Sequence, residues 1–569
     1  MASQLFPGTI EDDAAPSGLH SPRWLVDELL REQQRITPVE EFAAWHEAAA
    51  DLPIARGPGA DPSRRYRDLI PVGLPGDGEQ FAFEVDLDAC SGCKACVTAC
   101  HNLNDLEVGE TWRAVGLLHG GSAQAPAIQH VTTACHHCVD PACLKGCPVD
   151  AYDKDPITGI VRHLDDQCIG CQYCTFMCPY DVPKYSRRLG IVRKCDMCRT
   201  RLAVGEAPAC VQSCPNAAIR IAIVNRQEAV ESAEANAFLP GAPEPGCTLP
   251  TTIYKTHRPL PRNMLPADYF AAAPQHAHWP LILMLVLTQM SVGALVTGLS
   301  FAGGGNVFHA AATLATGLLG ITASTLHLGR PRYAFRAIIA WRRSWLSREI
   351  IAFGLYAVLA IAYAAAVVCS DADVDTATGT ATRSALAIAA AAVGLYGVFC
   401  SSMIYAVTQR PFWRFPRTAA KFFLSAAVLG LPIALVGALF GPNGVDTSRA
   451  FSLLAAIVAA GATKLALDAS ILISLRSRSN TSLRRTALLL TGELSRWSKH
   501  RFAWGAAGIV LPGLVYLVHS QSPTPALATS QVVASVAAGW LAAFIGELCE
   551  RYLFFAAVVA PKMPGAPSA

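Results

Sequence analysis

The chain has 569 residues, 46 basic against 43 acidic side chains, and a formal net charge of +3. Charged residues make up 16% of it and hydrophobic residues 52%, against roughly 25% charged in a typical soluble protein. A chain with so little charge and no basic excess is neither disordered nor a nucleic-acid binder. It also holds 20 cysteines, sixteen of them between Cys90 and Cys214.

Residues 1–77 read as a polar N-terminal extension. Its opening, MASQLFPGTIEDDAAPSG, has no basic n-region, apolar core or twin arginine, so no export signal is expected. Ser21-Pro22 opens one short helix, and Thr37-Pro38-Val39-Glu40 is a capping box for a second. Trp24, Leu25, Leu29 and Leu30 share a face of the first. That face either packs on its own domain or docks a partner subunit.

Residues 78–250 carry the cysteines, separated by β-like runs at 81–85, 159–162 and 219–224. Four groups repeat a spacing. The first is Cys90, Cys93, Cys96 and Cys100; the second is Cys135, Cys138, Cys143 and Cys147, followed by Pro148. The third is Cys168, Cys171, Cys174 and Cys178, followed by Pro179; the fourth is Cys195, Cys198, Cys210 and Cys214, followed by Pro215. Groups one and three are the bacterial ferredoxin run, in which three close thiolates hold one [4Fe–4S] cube and the fourth cysteine ligates its neighbour. Gly92 and Gly170 fall where backbone passes close to a cube. Disulfides would need an oxidising compartment and leave the near-identical runs unexplained. Zinc sites use isolated CxxC pairs without a third cysteine three residues on. Sixteen ligands make four cubes, none of them lacking a cysteine as a three-iron cluster would. Cys247, Cys369, Cys400 and Cys549 stand alone and read as small apolar residues.

After a proline-rich linker at 251–278, residues 279–569 read as membrane. Eight apolar stretches approach the ~20 residues a bilayer requires: 279–301, 307–327, 349–369, 384–407, 418–440, 450–472, 502–519 and 526–546. An even number of spans puts both ends of this region on one face, side A, together with the cysteine domain. The three loops on side A hold seventeen basic residues and the four on side B only Arg383 and Arg449. By the positive-inside rule side A is cytoplasmic, which places a multi-pass protein in the bacterial inner membrane with its cysteines facing the cytoplasm.

Ionisable groups in a span are functional candidates by default. His327, Glu349, Tyr405, Lys464, Asp468 and Glu547 all gather toward side A. A quinone needs an apolar slot, donors to its two oxygens and a titratable group, a role that suits histidine. His327 and Glu349 fit that role or form a structural ion pair; Lys464 and Asp468, at i,i+4, read first as a structural pair. No two histidines face each other in mid-membrane, so no haem is expected.

The strings CSGCKAC, CHHCVDPAC, CIGCQYCTFMCPYDVPKY and KCDMC resemble the four-cluster electron-transfer subunit of the dimethyl sulfoxide reductase family of molybdoenzymes. That resemblance implies one cube on Cys90, Cys93, Cys96 and Cys214, and a second on Cys195, Cys198, Cys210 and Cys100. A third would use Cys135, Cys138, Cys143 and Cys178, and a fourth Cys168, Cys171, Cys174 and Cys147. The strings at 324–337, 344–350, 278–280 and 546–551 resemble that family's membrane anchor, whose menaquinol-site histidine and glutamate fall on His327 and Glu349; Tyr405, Lys464 and Asp468 are further quinone candidates. Unlike the family, this chain fuses two subunits, and the best-known relative faces the periplasm.

The expected fold is an α+β ferredoxin-like four-cluster domain followed by an all-α eight-helix transmembrane bundle. The expected role is that of a non-catalytic electron-transfer and anchor subunit. Its partners would be a molybdopterin-containing catalytic subunit, quinone and membrane lipid, with no nucleic acid. The fusion resembles quinone-linked sulfite dehydrogenases. The alternatives are the anchor of a terminal reductase for dimethyl sulfoxide or tetrathionate, and a conduit for a hydrogenase or respiratory supercomplex.

Overall fold

The computed structural model describes residue 31 and residues 66–299, 307–370, 377–439, 447–479, 481–521 and 529–564. The two helices expected before residue 66 lie outside the described residues, except for Arg31, which is helical. The chain divides into two compact units, Met1–Asp68 and Leu69–Ala569; the cysteine domain and the membrane helices both belong to the second.

The cysteine domain is built on two three-stranded sheets and two ribbons. Strand β1 (Glu79–Asp86) pairs antiparallel with β8 (Ile219–Asn225), from Glu79 opposite Asn225 to Val85 opposite Ile219, and parallel with β9 (Ile253–Lys255). Strand β2 (Ala114–Gly121) lies between β3 (Pro126–Thr133) and β10 (Leu265–Pro266). The stretch 251–278, expected as a linker, thus supplies the third strand of each sheet. Ribbons β4–β5 (Tyr152–Lys154, Val161–His163) and β6–β7 (Lys184–Ser186, Ile191–Arg193) follow the second and third cysteine groups. Each ribbon begins after a Cys-Pro pair because proline cannot continue a helix. The helices so ended are α2 (Ala142–Gly146) and α3 (Tyr173–Met177), with Cys147 and Cys178 as their extended C-caps. Helix α1 (Ala95–Leu103) carries Cys96 and Cys100, and α4 (Arg199–Ala203), α5 (Ala209–Gln212) and α6 (Arg226–Glu234) complete the domain.

Eight helices among the described residues are long and apolar enough to cross a membrane. They are α7 (Trp279–Gly298), α8 (Val307–Thr325), α9 (Trp345–Ser370), α10 (Ala377–Ala406), α11 (Phe415–Leu439), α12 (Thr447–Ala469), α14 (Ser495–Gln521) and α15 (Thr529–Ala556), with the short α13 (Ser482–Thr491) on the side A connection. Helix α7 is the most buried and packs against α8, α10, α11 and α15. It crosses α11 where Gly293 meets the backbone of Ala426 and Gly430, a contact too close for any side chain. The seventh span begins at Ser495 rather than 502, and the eighth runs to Ala556. Polar and aromatic turns at a bilayer interface stay helical although they are not apolar. Lys421 and Arg501, expected in side A loops, are therefore buried inside α11 and α14.

The cysteine domain seats on the loop between α8 and α9. The Arg330 N–H donates to the Ile169 carbonyl at 3.0 Å, and Arg330 and Arg336 donate to the carbonyls of Asp165 and Asp166. Ser344 Oγ donates to the Gly146 carbonyl at 2.8 Å, and Arg343 pairs with Asp150. Some side A arginines are therefore structural struts for the cysteine domain.

Candidate electron-transfer site

The sixteen cysteines converge as four nests. Cys90, Cys93, Cys96 and Cys214 line one cavity with Thr132 and Asn216. Cys135, Cys138, Cys143 and Cys178 line another with His136, His137 and Lys194. Cys100 lies beside Cys198, Cys210 and Cys195, and Cys147 beside Cys168, Cys171 and Cys174. Each nest draws its fourth sulfur from a different group, because the fourth cysteine lies within or just after a short helix that carries it away from its own loop.

Local backbone explains the tight loops. The residue just before the second cysteine of every group is left-handed: Gly92 (φ 75°), His137 (φ 42°), Gly170 (φ 70°) and Met197 (φ 62°). That turn aims two sulfurs at one centre and turns backbone N–H groups toward sulfur. Gly170 N–H donates to Cys168 Sγ and Met197 N–H to Cys195 Sγ, both at 3.4 Å. Ala151 N–H donates to Cys147 Sγ and Ala218 N–H to Cys214 Sγ, both at 3.3 Å.

The donor set fits a polynuclear cluster. Four sulfurs ring each mapped cavity, the all-cysteine donor set that a [4Fe–4S] cube takes.

Three buried side chains stand between nests. Arg113 lies among Cys96 of the first nest and Cys210, Cys195 and Cys100 of the second. Burial opposes its charge, but those sulfurs outweigh it and hold its pKa above the ordinary guanidinium value. Lys194 lies between the second and third nests, its Nζ 3.6 Å from Cys135 Sγ and 2.8 Å from the Cys195 carbonyl. Burial opposes its charge too, and Cys135, Cys143 and Cys195 raise its pKa regardless. Tyr152 stands between Cys143 of the third nest and Cys174 and Cys147 of the fourth. The nests therefore form a row, first to fourth. His136 is held neutral, its pKa pushed down to about 3 by burial and then by Arg113. The sequence reading missed these residues; the only local signal was the lysine directly before Cys195.

The fourth nest touches the membrane region. Gly170 and Gly190 press against Gly329, two residues beyond His327, and Tyr173 Oη donates to the Ile404 carbonyl at 3.0 Å. His327 Nδ1 is buried there, and the ring lies against the Ser324 backbone. Glu349 is buried and accepts from Ser401 Oγ, and the ion pairs found among the described residues do not join it to His327. Tyr405 is an electrostatic neighbour of Glu349 and Tyr173, boxed by Trp413 and Phe554 at 5.1 Å between ring centroids and by Phe422 at 5.9 Å.

Lys464 and Asp468 fall elsewhere and do not bridge each other. Lys464 pairs with Glu547 and Glu550 at 3.5 and 3.7 Å, and Asp468 with Lys421 and Arg501 at 3.1 and 2.8 Å. The i,i+4 rule placed them on one face, but partners on three other helices lay closer. Of the isolated cysteines, Cys400 and Cys549 are buried, Cys369 is exposed, and Cys247 Sγ donates to Gln409 Oε1 at 2.7 Å.

Residues 127–223 match the family described as 4Fe-4S dicluster domain, and residues 275–556 the family described as DMSO reductase anchor subunit (DmsC). The sequence is 34% identical over 189 residues to the B subunit of anaerobic dimethyl sulfoxide reductase of Haemophilus influenzae, covering 32% of this protein and 91% of that one. It is 40% identical over 144 residues to the corresponding B subunit from Escherichia coli K12, covering 24% and 70%. It is 36% identical over 157 residues to the formate dehydrogenase-O iron-sulfur subunit of E. coli K12, covering 25% and 52%. With its sixteen cysteines crossed into four nests, this protein belongs to the family of dimethyl sulfoxide reductase B subunits, the iron–sulfur electron-transfer subunits, with that system's anchor continued in the same polypeptide.

Proposed function

We propose that this protein links a separate molybdopterin-containing catalytic subunit to the quinone pool, with four [4Fe–4S] clusters held by the sixteen cysteines named above and no haem. The observation that carries the reading is the seating of the fourth nest on the quinone candidates, through Gly170 against Gly329 and Tyr173 on Ile404. The clusters, when bound, supply one-electron carriage. The protein's own residues bury them, hydrogen-bond their sulfurs and set fixed charges between them.

The quinone head would lie among His327, Glu349 and Tyr405. The His327 ring and the Tyr405 hydroxyl can bond quinone oxygens, and Glu349, oriented by Ser401, can exchange a proton with them. The test is His327→Arg: quinone turnover is lost while iron content stays that of the parent protein. Normal turnover in that variant removes His327 from the site.

The charge asymmetry of the loops supports a cytoplasmic iron–sulfur domain, although Arg330, Arg336 and Arg343 have structural partners there and Lys421 and Arg501 leave the count. A cytoplasmic face favours a dehydrogenase feeding quinone, of the sulfite type that the fusion resembles. Sulfite added to membranes holding the intact complex should then reduce quinone, and a null result discards that substrate. The names of the dimethyl sulfoxide reductase relatives favour the opposite flow, from quinol to a terminal acceptor; the direction is read from which of quinol or donor reduces the clusters.

A further inference from the structure

The second half of the bundle hides more charge than an anchor needs. Lys421 joins Asp468 and Glu550 at 3.1 and 2.9 Å. Arg501 joins Asp468 and Glu547 at 2.8 and 2.9 Å, and Lys464 reaches Glu547 and Glu550. Arg551 pairs with Glu550 at 2.9 Å and donates to Gln289 and Ser425 at 2.8 and 2.9 Å, while Ser425 donates to Glu547 at 2.5 Å. All seven charged groups are buried. Apolar residues could hold these helices together at lower desolvation cost, and ionisable groups in a bilayer mark functional paths by default.

The network has two ends. On side A a largely apolar cavity, walled by residues such as Leu472, also has Lys421, Asp468, Arg501 and Glu550 of the network in its lining, together with Ser495 and Lys499. At the other end the Arg551 guanidinium lies 4.1 Å from the Phe422 ring centroid, and Phe422 packs on Tyr405. Arg551 Nε and Gln289 Nε2 are buried there without hydrogen-bond partners among the described residues. Buried donors of that kind are commonly served by internal water.

Granted the quinone site at His327, Glu349 and Tyr405, on which this route depends, we infer that the Asp468–Glu550–Arg551 network is the proton path between side A water and the quinone. Asp468 takes a proton from water in the cavity. Glu550 and Glu547 pass it on, and water held by Gln289 and Arg551 delivers it to the Tyr405 hydroxyl as that hydroxyl gives its own proton to a quinone oxygen. Two protons taken this way and two electrons from the iron–sulfur side convert one quinone to quinol, and quinol oxidation runs the same steps backward.

The test uses the purified holo-complex in proteoliposomes. In Glu550→Gln and Asp468→Asn, quinone turnover should fall at least about tenfold, with iron content and quinone KM unchanged. Millimolar acetic acid, a permeant proton donor, should restore most of it. Unchanged turnover, or a loss that acetic acid does not relieve, overturns the path. If those variants lose iron, Leu472→Trp decides, since it narrows the cavity without touching a charge: turnover should fall at unchanged KM, and full turnover overturns the path. Failure of the quinone site itself shows separately, as normal turnover in His327→Arg.

Discussion

Tyr173, inside the third cysteine group, donates its hydroxyl to the carbonyl of Ile404 at 3.0 Å, and both residues are buried. A single bond thus ties the loop of the fourth nest to the end of α10. Tyr173→Phe leaves that buried carbonyl unpaired, a loss of about 1–3 kcal/mol. Thermal unfolding of the detergent-solubilised complex should begin earlier in this variant, with the iron content intact.

Gly170 belongs to the same seat. Its φ of +70° disfavours any side chain, and an added Cβ would run into the Gly190 carbonyl and sit 2.9 Å from Gly329 Cα. Gly170→Ala should therefore cost about four irons per chain and loosen the seat on the α8–α9 loop. Iron analysis and protease accessibility of that loop would report both losses. Gly205, also left-handed but with nothing within 4 Å of a Cβ, should tolerate Ala with iron unchanged.

Crossed ligation, as proposed, has its own signature. Cys178→Ser should disturb the cube shared with Cys135, Cys138 and Cys143, whereas Cys147→Ser should disturb the one shared with Cys168, Cys171 and Cys174. Electron paramagnetic resonance of each reduced variant distinguishes them. If Cys147→Ser instead altered the signal that Cys138→Ser alters, ligation would run within groups and the nests would be misassigned.

Lys194 places a positive charge between the second and third nests, 3.6 Å from one ligand sulfur. A unit charge some 8 Å from a cluster is worth about 2 kcal/mol at an effective dielectric constant near 20, on the order of 80 mV for a one-electron couple. A nearby cation favours the reduced form, so Lys194→Met should lower the midpoint potentials of those two clusters by that order and leave the fourth nearly unmoved. Redox titration followed by paramagnetic resonance measures it.

The cysteine runs, the eight spans and the candidates His327 and Glu349 were all legible along the chain. Thiolate spacing and hydropathy are local properties that a short window of sequence contains. The strands at Ile253–Lys255 and Leu265–Pro266 were not legible, because a two- or three-residue strand exists only where a sheet edge meets it. Lys464 and Asp468 illustrate the same limit: a helix periodicity says which residues share a face, but not that Lys421, Arg501, Glu547 and Glu550 of three other helices lie nearer.

By itself, then, the sequence determined the cysteine pattern, the membrane-crossing segments and the family. Each depends on contacts between residues a few positions apart or on summed transfer free energy. Tertiary structure alone decided the row of nests, the cations between them and the nest that faces the bilayer. Those depend on residues far apart in the chain, such as Gly170 and Gly329, meeting at distances that only the packed fold sets.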